Sequence, residues 1–128
     1  MINIMQISNS FMNTRQALKN AIHDLRTCPG SMGCADSTAA VLNNTSQLDA
    51  GLRQAAAFAR KVGHPAAAAI EAAHMAAETL AKAASALIVG VPCPVSPEPY
   101  ERLLEALDGS DGINRKWAEA ARILEGGR

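Results

Sequence analysis

Apolar residues recur along most of the chain at the spacing of α-helices. Between residues 37 and 62, alternating steps of four and three residues mark a seam: Val41, Thr45, Leu48, Leu52, Ala55, Ala59 and Val62. A second seam lies between 65 and 89: Ile70, Ala73, Ala77, Leu80, Ala84 and Leu87. Such heptad spacing keeps the seam on one face of a helix. The pattern predicts two long helices, each with one packing face.

A short corner is expected between these two helices. Gly63 suits the position just after a helix, and Pro65 suits the first position of the next one. With so short a connection, the two helices should fold back on each other as an antiparallel hairpin. The second of these helices should extend from Pro65 to about Val89, and the first should begin at Asp36 or Ser37, both good N-cap residues.

An earlier amphipathic segment predicts one more main helix. Asn13 as N-cap and Gln16 three positions later form a capping-box pattern. The apolar face that follows consists of Leu18, Ala21, Ile22 and Leu25. Pro29 and Gly30 should end this helix. In residues 1–12 the isoleucines alternate weakly with polar residues, which suits a short strand, an N-terminal arm that reaches a neighbour, or disorder.

The C-terminal part predicts a connector and two short helices. Four prolines between 91 and 100 favour an extended connector. We expect Ser96 to cap a helix with an apolar side formed by Tyr100, Leu103, Leu104 and Leu107. After the turn at 108–112, a last helix contains Ile113, Trp117, Ala120, Ala121 and Leu124. The fold class is therefore all-α: an antiparallel bundle of three main helices over 13–91, with a two-helix cap over 92–128 in the same domain.

Alanine dominates the apolar composition, and this affects the expected stability. The chain has 26 alanines among its 128 residues, but only two Phe, one Tyr and one Trp. Burial stabilises by about 25 cal/mol per Å² of apolar surface, so an alanine seam contributes less than a leucine seam. We therefore expect a homo-oligomer, with Leu48 and Leu52 at the interface. Trp117 is either a core residue of the cap or, if exposed, an interface hot spot.

The charge pattern argues against some classes of partner. Twelve basic and twelve acidic residues cancel, and there is no concentrated basic patch of the kind that nucleic acids and anionic membranes require. The apolar run from 65 to 91 contains Glu71, His74, Glu78 and Lys82, which a membrane span would not tolerate. The chain start lacks the pattern of a secretory signal, and the cysteine count is odd, so we expect a cytoplasmic location.

The cysteines form one candidate metal site. In an up-down-up bundle, the 28–35 bend and the 91–96 connector lie at the same end. This would bring together a Cys3His set of the kind that binds structural zinc: His23, Cys28, Cys34 and Cys93. The Cys-x5-Cys spacing is wider than in the usual zinc knuckle. The alternatives are a disulfide between Cys28 and Cys34 or ordinary half-buried thiols.

A second candidate constellation lies in the third helix. Glu71, His74 and Glu78 share one helical face and match the Glu-x-x-His element of carboxylate-bridged di-metal bundles. Such sites need further carboxylates from neighbouring helices, and the first two helices offer only Asp24, Asp36 and Asp49. The alternative is a solvated stripe with an ordinary helix pair between Glu78 and Lys82.

These patterns favour binding over catalysis. The sequence has no phosphate-cradling glycine loop, no serine–base arrangement and no dinucleotide fingerprint. We therefore expect a small non-enzymatic protein that binds itself and a protein partner, as an adaptor or inhibitor does. One alternative is an oligomeric sponge or sensor for phosphate-bearing small molecules, bound by Arg53, Arg60 and Lys61. Another is a structural module stabilised by zinc.

Overall fold

The computed structural model describes residues 2–27, 32–91 and 94–126. These residues contain five α-helices. They are α1 (Ile4–Thr27), α2 (Met32–Val62), α3 (Ala67–Ala86), α4 (Glu98–Asp108) and α5 (Ile113–Gly126). The described residues contain no β-strand. The all-α prediction is confirmed.

The helices pack side by side in a closed ring with four members, and the α4–α5 pair counts as one of them. α1 packs against α2, α2 against α3, and the α4–α5 pair packs against α3, while α4 also contacts α1. The α1–α2 pair is antiparallel, since Ile7 lies beside Gly51 and Thr14 donates a hydrogen bond to the Asn44 carbonyl. The predicted C-terminal cap is therefore the fourth member of an up-and-down four-helix bundle, interrupted by a turn at 109–112.

The expected N-terminal arm is wrong, because α1 already begins at Ile4. Ile7 and Phe11 are buried and continue the face of Leu18 at helical spacing, so the early isoleucines follow a helical period rather than a strand period. Asn3, not Asn13, is the residue whose Oδ1 accepts a capping hydrogen bond, from the backbone nitrogen of Gln6 at 3.0 Å.

Other helix boundaries also differ from expectation. α2 begins at Met32, ahead of Asp36 and Ser37, and α3 spans Ala67–Ala86 rather than 65–89. Ser96 is not a cap: Pro97 occupies the N-cap position of α4 without a side-chain capping bond. The corner at Gly63 is confirmed, since this residue has a φ of 66°, a conformation that glycine adopts without strain.

The core combines small seams with a few large side chains. Along the α2–α3 contact, four alanines are fully buried: Ala56, Ala59, Ala73 and Ala77. On the opposite side of the bundle, Phe11 of α1 and Trp117 of α5 stack with ring centroids 6.5 Å apart. The buried Tyr100 hydroxyl donates to Thr38 Oγ1 at 2.9 Å and joins α4 to α2. Small alanines therefore close the α2–α3 side of the bundle, and large aromatic side chains close the side formed by α1 and α5.

Arg15 and Asp108 form an ion pair that joins α1 to the end of α4. Arg15 donates from both Nε and Nη2, the latter at 2.8 Å, and Asn114 adds a third hydrogen bond to the same carboxylate. The hydrogen bond from Arg15 is the main cause that lowers the pKa of Asp108 below its ordinary value. The folded state therefore favours the ionised form of this carboxyl group.

The substitution Asp108→Asn should lower the free energy of unfolding by about 0.5–1 kcal/mol near neutral pH. Because folding lowers the pKa of Asp108, its contribution is complete above the unfolded-state pKa of about 3.9 and disappears as the pH falls through the folded-state value. Urea denaturation of both proteins over an acidic pH series measures this. The difference should vanish at the acid end, and Asp111→Asn, at an exposed position in the same turn, should show no such pattern.

Candidate functional site

The α2–α3 contact has a polar edge beside its alanine seam. This α2–α3 polar cluster consists of Asp49 and Arg53 from α2 and His74, Glu78 and Lys82 from α3. In each helix the members are four residues apart and therefore share a face. The antiparallel hairpin places the two faces against each other. The side chains of His74 and Asp49 are mostly buried, at 13% and 14% exposure.

His74 lies between two carboxylates. Its Nε2 atom is 3.3 Å from Asp49 Oδ1 and 3.8 Å from Glu78 Oε2. The other oxygen of Asp49 accepts a hydrogen bond from Arg53 at 2.9 Å, and the other oxygen of Glu78 accepts one from Lys82 at 3.3 Å. The Lys82 hydrogen bond is also the main cause that lowers the pKa of Glu78. The cations therefore hydrogen-bond to the outer oxygens, and one oxygen of each carboxylate faces the imidazole. Arg53 Nη2 also lies 3.7 Å from the inner oxygen of Glu78.

Several buried atoms of this region make no hydrogen bond. They are both ring nitrogens of His74, Asp49 Oδ1 and Glu71 Oε2. Of these, Glu71 Oε2 has a charge nearby, since it lies 3.9 Å from Arg60 Nη1. A buried polar atom without a partner loses its hydration without compensation, and in native proteins it often marks the place of an ion, a water or a ligand. The arrangement can therefore accept a group between His74 and Asp49.

A groove gives access to this cluster from the surface. It has a volume of about 350 Å³ and is bordered by Asp49, Arg53, Glu78 and Lys82, together with Thr45 and Ser46 of α2 and Ser85 of α3. Glu78 and Lys82 are considerably more exposed than His74, with side-chain exposures of 40% and 77%. A small ion or molecule can therefore reach the carboxylates without opening the helix hairpin.

Residue spacing predicts part of this site. It places Glu71, His74 and Glu78 on one face of α3, but it gives no reason to prefer Asp49 over Asp24 or Asp36 as the partner from another helix. Asp24 instead accepts a hydrogen bond from Ser37 between α1 and α2. The choice of Asp49 depends on the register of the helix hairpin, which the spacing within one helix does not determine.

The predicted phosphate-binding residues lie along α2 but do not converge. Arg53 pairs with Asp49 and Glu78, and Arg60 lies beside Glu71, so carboxylates of the same chain already compensate both charges. Lys61 is exposed on α2. A phosphate group would have to displace these carboxylates.

The predicted cysteine site lies largely outside the described residues. Cys28 and Cys93 both belong to the segments that the structure does not describe, so the four-residue zinc site stays a prediction. Cys34 is buried at the start of α2, whereas His23 is exposed on α1 in a groove with Arg26 and Glu101. Within residues 2–27, 32–91 and 94–126, one group of three metal-ligating side chains has ligand atoms within 4.8 Å of one another, namely Asp49, His74 and Glu78.

The three predicted interface residues are part of the core of a single chain. Leu48 and Leu52 are fully buried on α2, and Trp117 is buried against Phe11. Heptad spacing identified their packing faces, but those faces pack within the chain. These side chains are not available on the surface of the folded chain for a second copy.

Other apolar side chains, which residue spacing alone does not distinguish from core positions, are exposed at one end of the bundle. Because Ile7 lies beside Gly51, α1 extends only about one turn beyond this contact, whereas α2 continues for about three turns to Val62. Phe58 and Val62 on this overhang are 38% and 55% exposed, and Met5 at the start of α1 is 72% exposed. We refer to Met5, Phe58 and Val62 as the open apolar end.

None of the helices in the described part of the chain has the length and hydropathy needed to cross a bilayer. No protein-family model, curated protein or solved structure matches this chain.

Proposed function

We propose that this protein acts by binding other protein surfaces rather than by catalysis, and that the open apolar end is its contact surface. The observation that supports this proposal is the overhang of α2 beyond α1, which leaves Phe58 and Val62 exposed. Burying such side chains against a partner stabilises a complex by about 25 cal/mol per Å² of apolar area. Phe58 and Val62 are four residues apart in α2 and therefore share a face, and an exposed apolar patch of this kind is typical of interaction surfaces.

We infer that the first partner bound at the open apolar end is a second copy of the same chain. The formal net charge is +0, so two copies approach without net electrostatic repulsion. A patch at one end of a bundle can pair with itself about a twofold axis, which is the commonest symmetry of homo-oligomers. An adaptor or inhibitor role would use the same surface for a different protein. The odd number of cysteines supports a cytoplasmic setting.

Size-exclusion chromatography with light scattering tests this proposal. The wild-type chain of 13.4 kDa should show a mass that rises toward the dimer as its concentration increases. The double substitution Phe58→Ser/Val62→Ser should give a monomer at every concentration, with unchanged helicity by circular dichroism. Met75→Ser is the matched control, because Met75 is 63% exposed on α3 but is not part of the open apolar end.

Two results would contradict the proposal. One is a wild-type chain that remains monomeric at high concentration. The other is a dimer that the Phe58→Ser/Val62→Ser substitution leaves intact, since its interface would then lie elsewhere.

A further inference from the structure

We propose that Asp49, His74 and Glu78 form a binding site for a single divalent ion of the zinc type. This inference concerns the α2–α3 polar cluster and is independent of the open apolar end. It rests on the distances among three ligand atoms, on the buried atoms that have no hydrogen-bond partner, and on the chemistry of the donor set.

The distances fit a metal centre without movement of the helices. In a tetrahedral site with Zn–N and Zn–O bonds of about 2.0–2.1 Å, neighbouring ligand atoms are roughly 3.4 Å apart. His74 Nε2 lies 3.3 Å from Asp49 Oδ1 and 3.8 Å from Glu78 Oε2. The ligand atoms of all three residues lie within 4.8 Å of one another. Arg53 Nη2, which lies 3.7 Å from Glu78 Oε2, would have to move aside as the ion enters.

A metal ion would also supply the missing partners of two buried atoms. His74 Nε2 and Asp49 Oδ1 are close to each other but form no hydrogen bond. An ion would bond to both and would use the neutral imidazole as a ligand. Each site of this kind has outer groups that orient the ligands. Arg53 and Lys82 have that position here, because they hydrogen-bond to the carboxylate oxygens that face away from His74.

The two cations do not prevent binding of a metal ion. The side chains of Arg53 and Lys82 are 57% and 77% exposed, so water and salt screen their repulsion toward an ion. Two carboxylates compensate the double charge of the metal directly. With the metal bound, the charges of Arg53 and Lys82 are balanced by solvent and salt rather than by carboxylates of the cluster.

The donor set selects the class of metal. One imidazole with two carboxylates is typical of zinc and related first-row ions, whereas Mg²⁺ and Ca²⁺ prefer sites made of oxygen ligands alone. Three protein ligands leave a fourth position open, as in zinc sites that also hold a water or an exchangeable ligand. The groove lined by Thr45, Ser46 and Ser85 also borders Asp49 and Glu78, so a water or small ligand could reach the site through it.

Zinc binding by the full chain tests this inference. The reduced wild-type protein is titrated with Zn²⁺ in competition with a chromophoric chelator, beside His74→Gln, Asp49→Asn and the control His23→Gln, which changes an exposed histidine of α1. We expect one ion per chain. Loss of a direct ligand should weaken binding by more than about 100-fold, since outer-group substitutions alone cost 10–100-fold. His23→Gln should bind like the wild type.

Cobalt spectroscopy separates this site from the cysteines. The Co²⁺ complex should show d–d bands of a site with nitrogen and oxygen ligands, and these should persist in Cys28→Ser/Cys93→Ser. A strong sulfur-to-cobalt charge-transfer band that this double substitution abolishes would instead assign the metal to the thiols and overturn the inference.

Two further outcomes would overturn the inference. The first is the absence of one-to-one zinc binding. The second is zinc binding that His74→Gln and Asp49→Asn do not weaken while circular dichroism shows both variants to be folded. Because Asp49→Asn keeps the size of the side chain, it provides a second test if His74→Gln fails to fold.

Discussion

Replacing Trp117 with alanine should lower the free energy of unfolding by about 3–5 kcal/mol. Trp117 is 3% exposed and stacks on Phe11, so its removal leaves a large cavity between α1 and α5. The chain has few aromatic residues to fill such a space, and the small alanines nearby cannot reach into it. Since domains of this size are stable by about 5–15 kcal/mol, this single change should remove a large share of the total.

Urea denaturation followed by far-ultraviolet circular dichroism measures this effect without tryptophan fluorescence. Met12→Ala is the control: Met12 follows Phe11 in α1 but is 60% exposed, and its removal should change stability by no more than about 0.5 kcal/mol. Phe11→Ala and Trp117→Ala should also be non-additive, because both disrupt the same ring contact. Equal effects of Met12→Ala and Trp117→Ala would contradict the assignment of Trp117 to the core.

Enlarging Ala56 to leucine should destabilise the protein by about 1–3 kcal/mol. Ala56 is fully buried and shares a face of α2 with Asp49 and Arg60, which lie against His74 and Glu71 of α3. This face is therefore the one in contact with α3. The alanines of both seams leave no room for a larger side chain, so leucine must push the helices apart or adopt a strained rotamer.

Ala57→Leu is the matched control for this second substitution. Ala57 is the next residue of α2 but is exposed, and leucine is nearly as good a helix former as alanine. Denaturation midpoints of the two variants separate packing from helix propensity. Stability that rises in both variants would show that the α2–α3 contact has space for larger residues.

Much of the fold follows from local patterns in the sequence. The two heptad seams and the Gly63 corner predict the α2–α3 hairpin, because they depend only on periodicity and on residues with particular backbone preferences. The predicted start of α1 was wrong because it also depended on a short local pattern. Ile2, Ile4 and Ile7 fit a strand over a short window, and only the continuation to Phe11 reveals the helical face.

The candidate site could be predicted only in part, because it depends on register between helices. Spacing within α3 places His74 and Glu78 together, but a shift of one turn in the hairpin would put a residue other than Asp49 opposite His74. The exposure of Phe58 has a similar origin. That exposure depends on how far α1 extends along α2, and the periodicity within either helix does not determine this distance.

The ring of helices also has a consequence for the order of assembly. α2 contacts the helices before and after it in the chain, so these contacts close short loops and form at small entropic cost. The contacts of α1 with α4, and of Phe11 with Trp117, join nearly opposite ends of the chain. Docking of α4 and α5 onto α1 therefore has the largest cost in loop-closure entropy. We expect α4 and α5 to dock last in folding and to detach first when the native state opens.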